Sequence, residues 1–212
     1  MACVNVVIGE EFTLGVWRVE ETEEELKSLV GGTYFPGLER MSHPRRRVEW
    51  LGARCLLKEF GLKSQVMYHP SRRPFLAHSK THLSISHSYP YVAVIVSPRF
   101  FVGIDIESST RPFRLVANKF LSTRESRWVD VANANMLSLI WSAKEAVYKL
   151  PGMEGIMAPE MNLSPFLPDP EKGGLELSIH LRSMAQRFAL NYYFIEKYNV
   201  VWVCSDSKEL VW

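Results

Sequence analysis

Cysteine is scarce in this chain: three residues in 212, Cys3, Cys55 and Cys204. They are odd in number and far apart, which excludes a disulfide framework and fits no zinc pattern. Buried thiols in a reducing cytoplasm are the expected state. The sequence has no run approaching the ~20 apolar residues that a membrane-spanning helix needs. Its opening, Met1-Ala2-Cys3-Val4-Asn5, lacks the basic and long apolar segments of a secretory signal. Low-complexity segments and short-period repeats are missing. So are H-E-x-x-H, G-x-S-x-G, G-x-x-x-x-G-K-S/T and G-x-G-x-x-G. The histidines at 43, 69, 78, 82, 87 and 180 show no zinc spacing with the cysteines. What remains is a soluble globular composition, 47% apolar and 23% charged, long enough for one large domain or two small ones.

Charge is close to balance at +2 overall, but it is unevenly placed. Residues 1–39 carry two basic and eight acidic side chains; residues 40–80 carry ten basic and two acidic. A local excess of +8 in the second stretch suits an anionic ligand or an acidic partner, or equally a solvated helix face.

Periodicity and punctuation predict α+β with mostly antiparallel sheet, in the order strands, helix, strands, helices, strands. Residues 4–8 and 12–19 read as a hairpin around Gly9-Glu10-Glu11. Residues 20–30 read as a short acidic helix stopped by Gly31-Gly32. Pro44 opens a helix over 45–60 that Gly61 stops. Residues 82–86 and 91–97 read as strands joined by a turn at 87–90, and residues 101–106 as a strand running into an acid pair. Ser122-Thr123-Arg124-Glu125 matches a capping box opening a helix. A longer helix spans about 134–150 and ends at Pro151-Gly152. A Pro/Gly-rich loop over 151–174 precedes three strands at 175–181, 187–196 and 199–204. The segment Ser97-Pro98-Arg99 marks a boundary between an N-terminal half, 1–98, and a C-terminal half, 99–212.

Four sets of residues can carry chemistry. In Gly103-Ile104-Asp105-Ile106-Glu107, strand alternation sends both carboxylates to one face. Oxygen ligands of this kind suit Mg²⁺, which takes one or two carboxylates beside substrate phosphate; the pair also reads as two surface acids at a strand end. In Trp141-Ser142-Ala143-Lys144-Glu145-Ala146-Val147-Tyr148-Lys149, helical spacing brings Trp141, Lys144, Glu145, Tyr148 and Lys149 onto about one face. Glu145 can complete a metal site or take a proton, and Lys149 can neutralise phosphate. A stabilising i,i+4 pair with two core aromatics explains the same residues. His87, within Ile85-Ser86-His87-Ser88, can donate to phosphate oxygens or simply sit in a turn. Arg45-Arg46-Arg47 places three cations at the positive end of a helix dipole, which makes more sense with an external anion. Arg72-Arg73-Pro74 is a second basic knot.

Taken in order, these segments resemble the 4′-phosphopantetheinyl transferases, specifically the monomeric Sfp-like branch. The matching pieces are Arg73-Pro74, I-S-H-S at 85–88, G-I-D-I-E at 103–107 and W-S-x-K-E-x-x-x-K at 141–149; Lys119-Phe120-Leu121-Ser122 with Glu125 is similar to a further family segment. The resemblance covers roughly residues 40–150. It departs at Arg73, where the family commonly has lysine, and at Tyr89, where glycine often follows S-H-S.

The resemblance implies two pseudo-symmetric α/β halves in a monomer, with coenzyme A bound between them. It implies Mg²⁺-dependent transfer of the 4′-phosphopantetheine arm of coenzyme A to a serine of an acyl carrier protein or peptidyl carrier domain. Adenosine 3′,5′-bisphosphate is released. Asp105, Glu107 and Glu145 are then the metal ligands, and Glu145 and Lys149 the catalytic groups. Arg46, Arg47, Arg73, Ser86, His87 and Lys144 are then the coenzyme A contacts. Glu125 keeps its capping role as a sufficient explanation. A non-catalytic coenzyme A-binding protein is the competing class. A nucleic-acid module is disfavoured, because the basic stretch lacks interleaved exposed aromatics.

Overall fold

In the computed structural model, which describes residues 3–31, 37–181 and 184–206, the chain divides into two units, Met1–Pro98 and Arg99–Trp212. The N-terminal unit opens with the hairpin β1 (Cys3–Ile8) and β2 (Thr13–Arg18). Helix α1 (Glu23–Val30) starts at Thr22, whose Oγ1 accepts from the Glu25 amide while Glu25 accepts from the Thr22 amide. Gly31, at φ 80°, ends it; Gly32 lies outside the described residues. Helix α2 (Pro44–Glu59) begins with proline, whose missing N–H costs nothing in a first turn. A short ribbon, β3 (Val66–Tyr68) and β4 (Pro74–Leu76), leads to β5 (His82–Ser88) and β6 (Tyr91–Ser97). The sheet order is β1-β2-β6-β5, every pairing antiparallel. Leu51, Cys55 and Leu56 of α2 pack with Trp17, Leu83, Val92 and Val94 from one face of that sheet.

The C-terminal unit begins with β7 (Phe101–Ser108). A 3₁₀ turn, Phe113–Val116, runs into the single-turn helix α3 (Ala117–Phe120). The 15-residue helix α4 (Ala134–Tyr148) is capped by Asn133, whose side chain accepts from the Met136 amide. Then come β8 (Met161–Leu163), β9 (Lys172–Leu181), β10 (Met184–Ile195) and β11 (Tyr198–Ser205), giving the antiparallel order β7-β11-β10-β9-β8. Leu139, Ile140, Ala143, Ala146 and Val147 of α4 share one core with Val201, Val203, Leu177 and Leu190 of the sheet. The architecture is α+β with mostly antiparallel sheet, as the periodicity predicts, and holds four helices.

Three predicted features come out differently. The strand expected to stop at Ser86 runs on to Ser88, pairing Ser86 with Ala93 and His87 with Val92, so the turn shrinks to Tyr89-Pro90. The Ser122–Glu125 capping box forms, but it opens only a 3₁₀ turn, Glu125–Arg127, and α4 starts afresh at Asn133. The loop over 151–174 contains β8. Three-residue strands such as β3, β4 and β8 are too short to show a period of two.

One glycine decides how α4 lies on the sheet. A Cβ on Gly103 would stand 1.9 Å from the Ala146 carbonyl oxygen, so only a bare backbone admits the helix there. Oxygen of a helix backbone cannot yield as a side-chain tip can. Gly103→Ala is therefore expected to force β7 and α4 apart and destabilise the chain by about 1–3 kcal/mol, the usual range for overpacking. Chemical denaturation of the purified variant measures it, and wild-type stability would contradict the close approach.

Candidate functional site

Gly103 begins the stretch that carries the carboxylates. Asp105 and Glu107 follow it on the same face of β7, because successive side chains alternate. Their cross-strand partners are Val201 and Asn199, and Val201 belongs to the core that α4 covers. The acid pair therefore faces α4, not solvent alone. Asp105 is 5% exposed. On the helix, Trp141, Glu145 and Lys149 recur at i, i+4 and i+8, so they form a stripe. Trp141 packs against Phe113 at a tilt and edge-to-face against Phe120, with ring centroids 5.8 and 5.4 Å away. Tyr148, read as a possible core aromatic, is exposed instead.

Ion pairs tie the strand to its surroundings. Lys149 Nζ donates to Asp105 Oδ1 at 2.8 Å and to the Ile104 carbonyl at 2.7 Å. Arg111 donates to Glu107 and lies over the rings of Phe113 and Trp141. Burial, and then the charge of Asp105, push the Glu145 carboxyl above the usual carboxylate range. Lys149 and Arg111 oppose that shift. So Asp105, Glu145, Lys149 and Arg111 share one electrostatic neighbourhood, with Glu107 joined to it through Arg111. Arg111 was not singled out in the sequence; it lies four residues beyond Glu107, after the strand has ended.

The three carboxylates do not form a finished coordination shell. Among the described residues no three His, Cys, Asp or Glu side chains stand close enough to hold a metal ion. Asp105 is turned to Lys149 and Glu107 to Arg111, so each of these carboxylates is paired with a cationic side chain. The donor set still fits a hard divalent cation: all oxygen, carried on two packed elements, with burial and then the Asp105 charge raising the Glu145 carboxyl, a strain that a cation would relieve.

Lys144, expected to contact coenzyme A, is turned into the interior. Its side chain is 2% exposed, and its ammonium donates to Glu125 and to the Phe120 carbonyl. Burial lowers its pKa while Glu125 opposes the change. Glu125 is fully buried and also accepts from the amides of Ser122 and Leu163. This pair joins α4, the 120–127 segment and β8, and helical spacing alone cannot tell such an inward lysine from an outward one. Lys144→Met leaves Glu125 buried without its cation and is expected to cost about 3–5 kcal/mol. The double change Lys144→Met with Glu125→Leu should recover most of that in equilibrium denaturation.

The basic stretch of the N-terminal unit is largely consumed by its own neighbours. Arg47, another expected coenzyme A contact, donates to both oxygens of Glu23 at 2.6 Å and to the carbonyls of Leu38 and Met41. Arg45 lies over Tyr89, Arg54 stacks 3.6 Å over Trp50, and Lys58 donates to the Leu29 carbonyl. Arg46 meets the His87 ring and lies 3.6 Å from Glu49, a buried carboxylate whose Oε2 is 3.3 Å from His87 Nδ1. The Arg46 guanidinium donates to the His87 ring, and a tautomer with an unprotonated Nε2 accepts it there. Burial raises the Glu49 carboxyl. Because β5 extends through His87, Ser86 and His87 point to opposite faces of the sheet. Arg73 ends the β3–β4 turn, where its carbonyl accepts from the His69 amide.

The Arg47 pair carries a pH signature. Its hydrogen bonds pull Glu23 from 4.5 down to about 2, with Lys27 contributing. The depressed carboxyl favours the folded state above pH 4.5, and that contribution is lost as pH falls from 4.5 toward 2. Glu23→Gln should lower stability at pH 7 and flatten the acid limb of the stability–pH curve, as urea titrations between pH 7 and 3 would measure. An unchanged acid limb would remove the pair from the account.

No helix among the described residues is long and apolar enough to cross a membrane. No curated protein matches the chain. Residues 101–183, which hold β7, α4 and every carboxylate of the site, match the model of the 4′-phosphopantetheinyl transferase superfamily. That stretch is a domain of the 4′-phosphopantetheinyl transferase superfamily.

Proposed function

We propose that this protein transfers the 4′-phosphopantetheine arm of coenzyme A to a serine hydroxyl of an acyl or peptidyl carrier protein. One observation carries the reading. Asp105, Glu107, Glu145 and Lys149 are presented on the facing sides of β7 and α4, inside the stretch that matches the family. The family uses coenzyme A as substrate.

In the proposed reaction the serine oxygen bonds to the phosphorus that bears the pantetheine arm. The bond from that phosphorus to the bridging oxygen breaks, and adenosine 3′,5′-bisphosphate leaves. Asp105, Glu107 and Glu145 would hold Mg²⁺, which when bound neutralises charge on the pyrophosphate. Lys149 is already fixed against β7, so it offers a positioned positive charge with little reorganisation. Glu145 is also the proposed acceptor of the serine proton, directly or through a water, since it is the carboxylate that α4 brings beside Asp105 and Lys149. Positioning and charge stabilisation of this kind supply much of phosphoryl-type catalysis.

Arg46, Arg73, Ser86 and His87 are the proposed contacts to the donor's phosphates. Ser86 and His87 lie on opposite faces of β5, so they serve different groups of the donor. Lys144 and Arg47 are given structural roles instead. The free Cys55 and Cys204, with thiols pushed up to about 12 and 11 by burial, suit a reducing compartment such as the cytoplasm. A single chain suffices in this reading, which makes the protein a monomer.

Intact mass spectrometry of apo carrier proteins incubated with the protein, coenzyme A and Mg²⁺ tests the reaction. A gain of one phosphopantetheine is expected with the wild type, and a loss of at least about 100-fold in rate with Asp105→Ala or Glu145→Ala. Coenzyme A binding without any mass gain across carriers would favour a non-catalytic binder. Full activity in either variant would sink the site assignment.

A further inference from the structure

Asn199 stands directly across from Glu107, in register between β11 and β7. Opposed residues of an antiparallel pair share a face, with Cβ atoms about 4.5–5.5 Å apart. That face is the one α4 covers, since Val201 and Val203 of the same strand pack in its core. Asn199 is 0% exposed, yet neither its Nδ2 nor its Oδ1 has a hydrogen-bond partner. Its neighbour on the other side, in β10, is Phe194, which offers no polar group from its side chain. A buried carboxamide with both ends unused is costly, and a Leu or Val would pack the place without that cost. Such a group calls for a partner, which an ordered water, an ion or a bound ligand can supply.

The polar neighbour in register is Glu107, and it is held here by Arg111, whose side chain is half exposed. A solvated ion pair of that kind is weak and easily exchanged. We propose that Asn199 is the positioning residue of Glu107. When the Glu107 carboxylate leaves Arg111 for a divalent cation, Asn199 Nδ2 donates to one of its oxygens and turns the other toward the ion. The amide is neutral, so it orients the carboxylate without spending any of its negative charge. Outer partners of this kind hold metal-binding carboxylates in place elsewhere, and their loss weakens the metal about 10–100-fold. The inference rests on the proposed reading of the carboxylates as a metal site.

Mn²⁺ binding, measured by electron paramagnetic resonance with coenzyme A present, tests it on Asn199→Leu and Asn199→Ala. The expected result is Mn²⁺ affinity about 10–100-fold weaker in both. In metal-free buffer, Asn199→Leu should melt at or above the wild-type temperature, because an unsatisfied amide has been removed. Wild-type affinity in both variants would overturn the role of Asn199 while leaving the metal site standing. A wild-type protein that binds no Mn²⁺ would overturn the metal reading itself and this inference with it. Failure of both variants to fold, or a lower metal-free melting temperature in Asn199→Leu, would assign the amide to the fold and overturn the proposal too.

Discussion

The close approach of α4 to β7 at Gly103 is the constraint on which the site depends. With no Cβ in the way, the Ala146 carbonyl sits against the strand backbone. That contact fixes where the residues flanking Ala146 on the helix must fall. Glu145 comes within the field of Asp105, and Lys149 reaches both the Asp105 carboxylate and the Ile104 carbonyl. A helix held farther off by one methyl group would still be buried, but its lysine and its acid would miss the strand. The glycine opening the G-I-D-I-E run is thus as much a part of the site as its two carboxylates.

A second polar device holds the other side of α4. Glu125 is fully buried, yet each oxygen is used: Lys144 and the Ser122 amide on one, the Leu163 amide on the other. Buried charges are tolerable only when paired and hydrogen-bonded in this way. The pair joins three segments that are distant in sequence, and it explains why a capping box there need not begin a helix. The contrast with Asn199 is instructive. One buried polar group is completely satisfied and serves the fold; the other is left without partners beside a carboxylate.

The N-terminal unit shows how local charge misleads. Three consecutive arginines at the start of α2 look like a ready anion site. Each instead has a partner from a distant segment that no spacing rule reveals: Tyr89 for Arg45, His87 for Arg46, Glu23 for Arg47. The acidic first stretch and the basic second stretch neutralise each other in part, through Glu23 and Arg47. Charge imbalance along a chain says little about charge imbalance on a surface.

Much of the fold was legible in order and kind. Val92, Val94 and Val96 alternate into one core, α4 is apolar on most of its circumference, and Pro44 and Gly31 punctuate as their backbones require. The acid pair of β7 and the Glu145–Lys149 spacing were also readable, because strand and helix periods are local properties. What the sequence by itself determined was therefore which residues share a face: Asp105 with Glu107, Glu145 with Lys149. Only the tertiary structure decided which faces meet and which cations turn inward. Lys144 and Lys149 lie five residues apart on and just beyond one helix, yet one is sealed against Glu125 and the other reaches Asp105. The reason is physical: a period fixes direction about an element's own axis, while partners such as Glu125, Glu23 and Asn199 arrive from segments far along the chain, and their positions depend on the packing of the whole core.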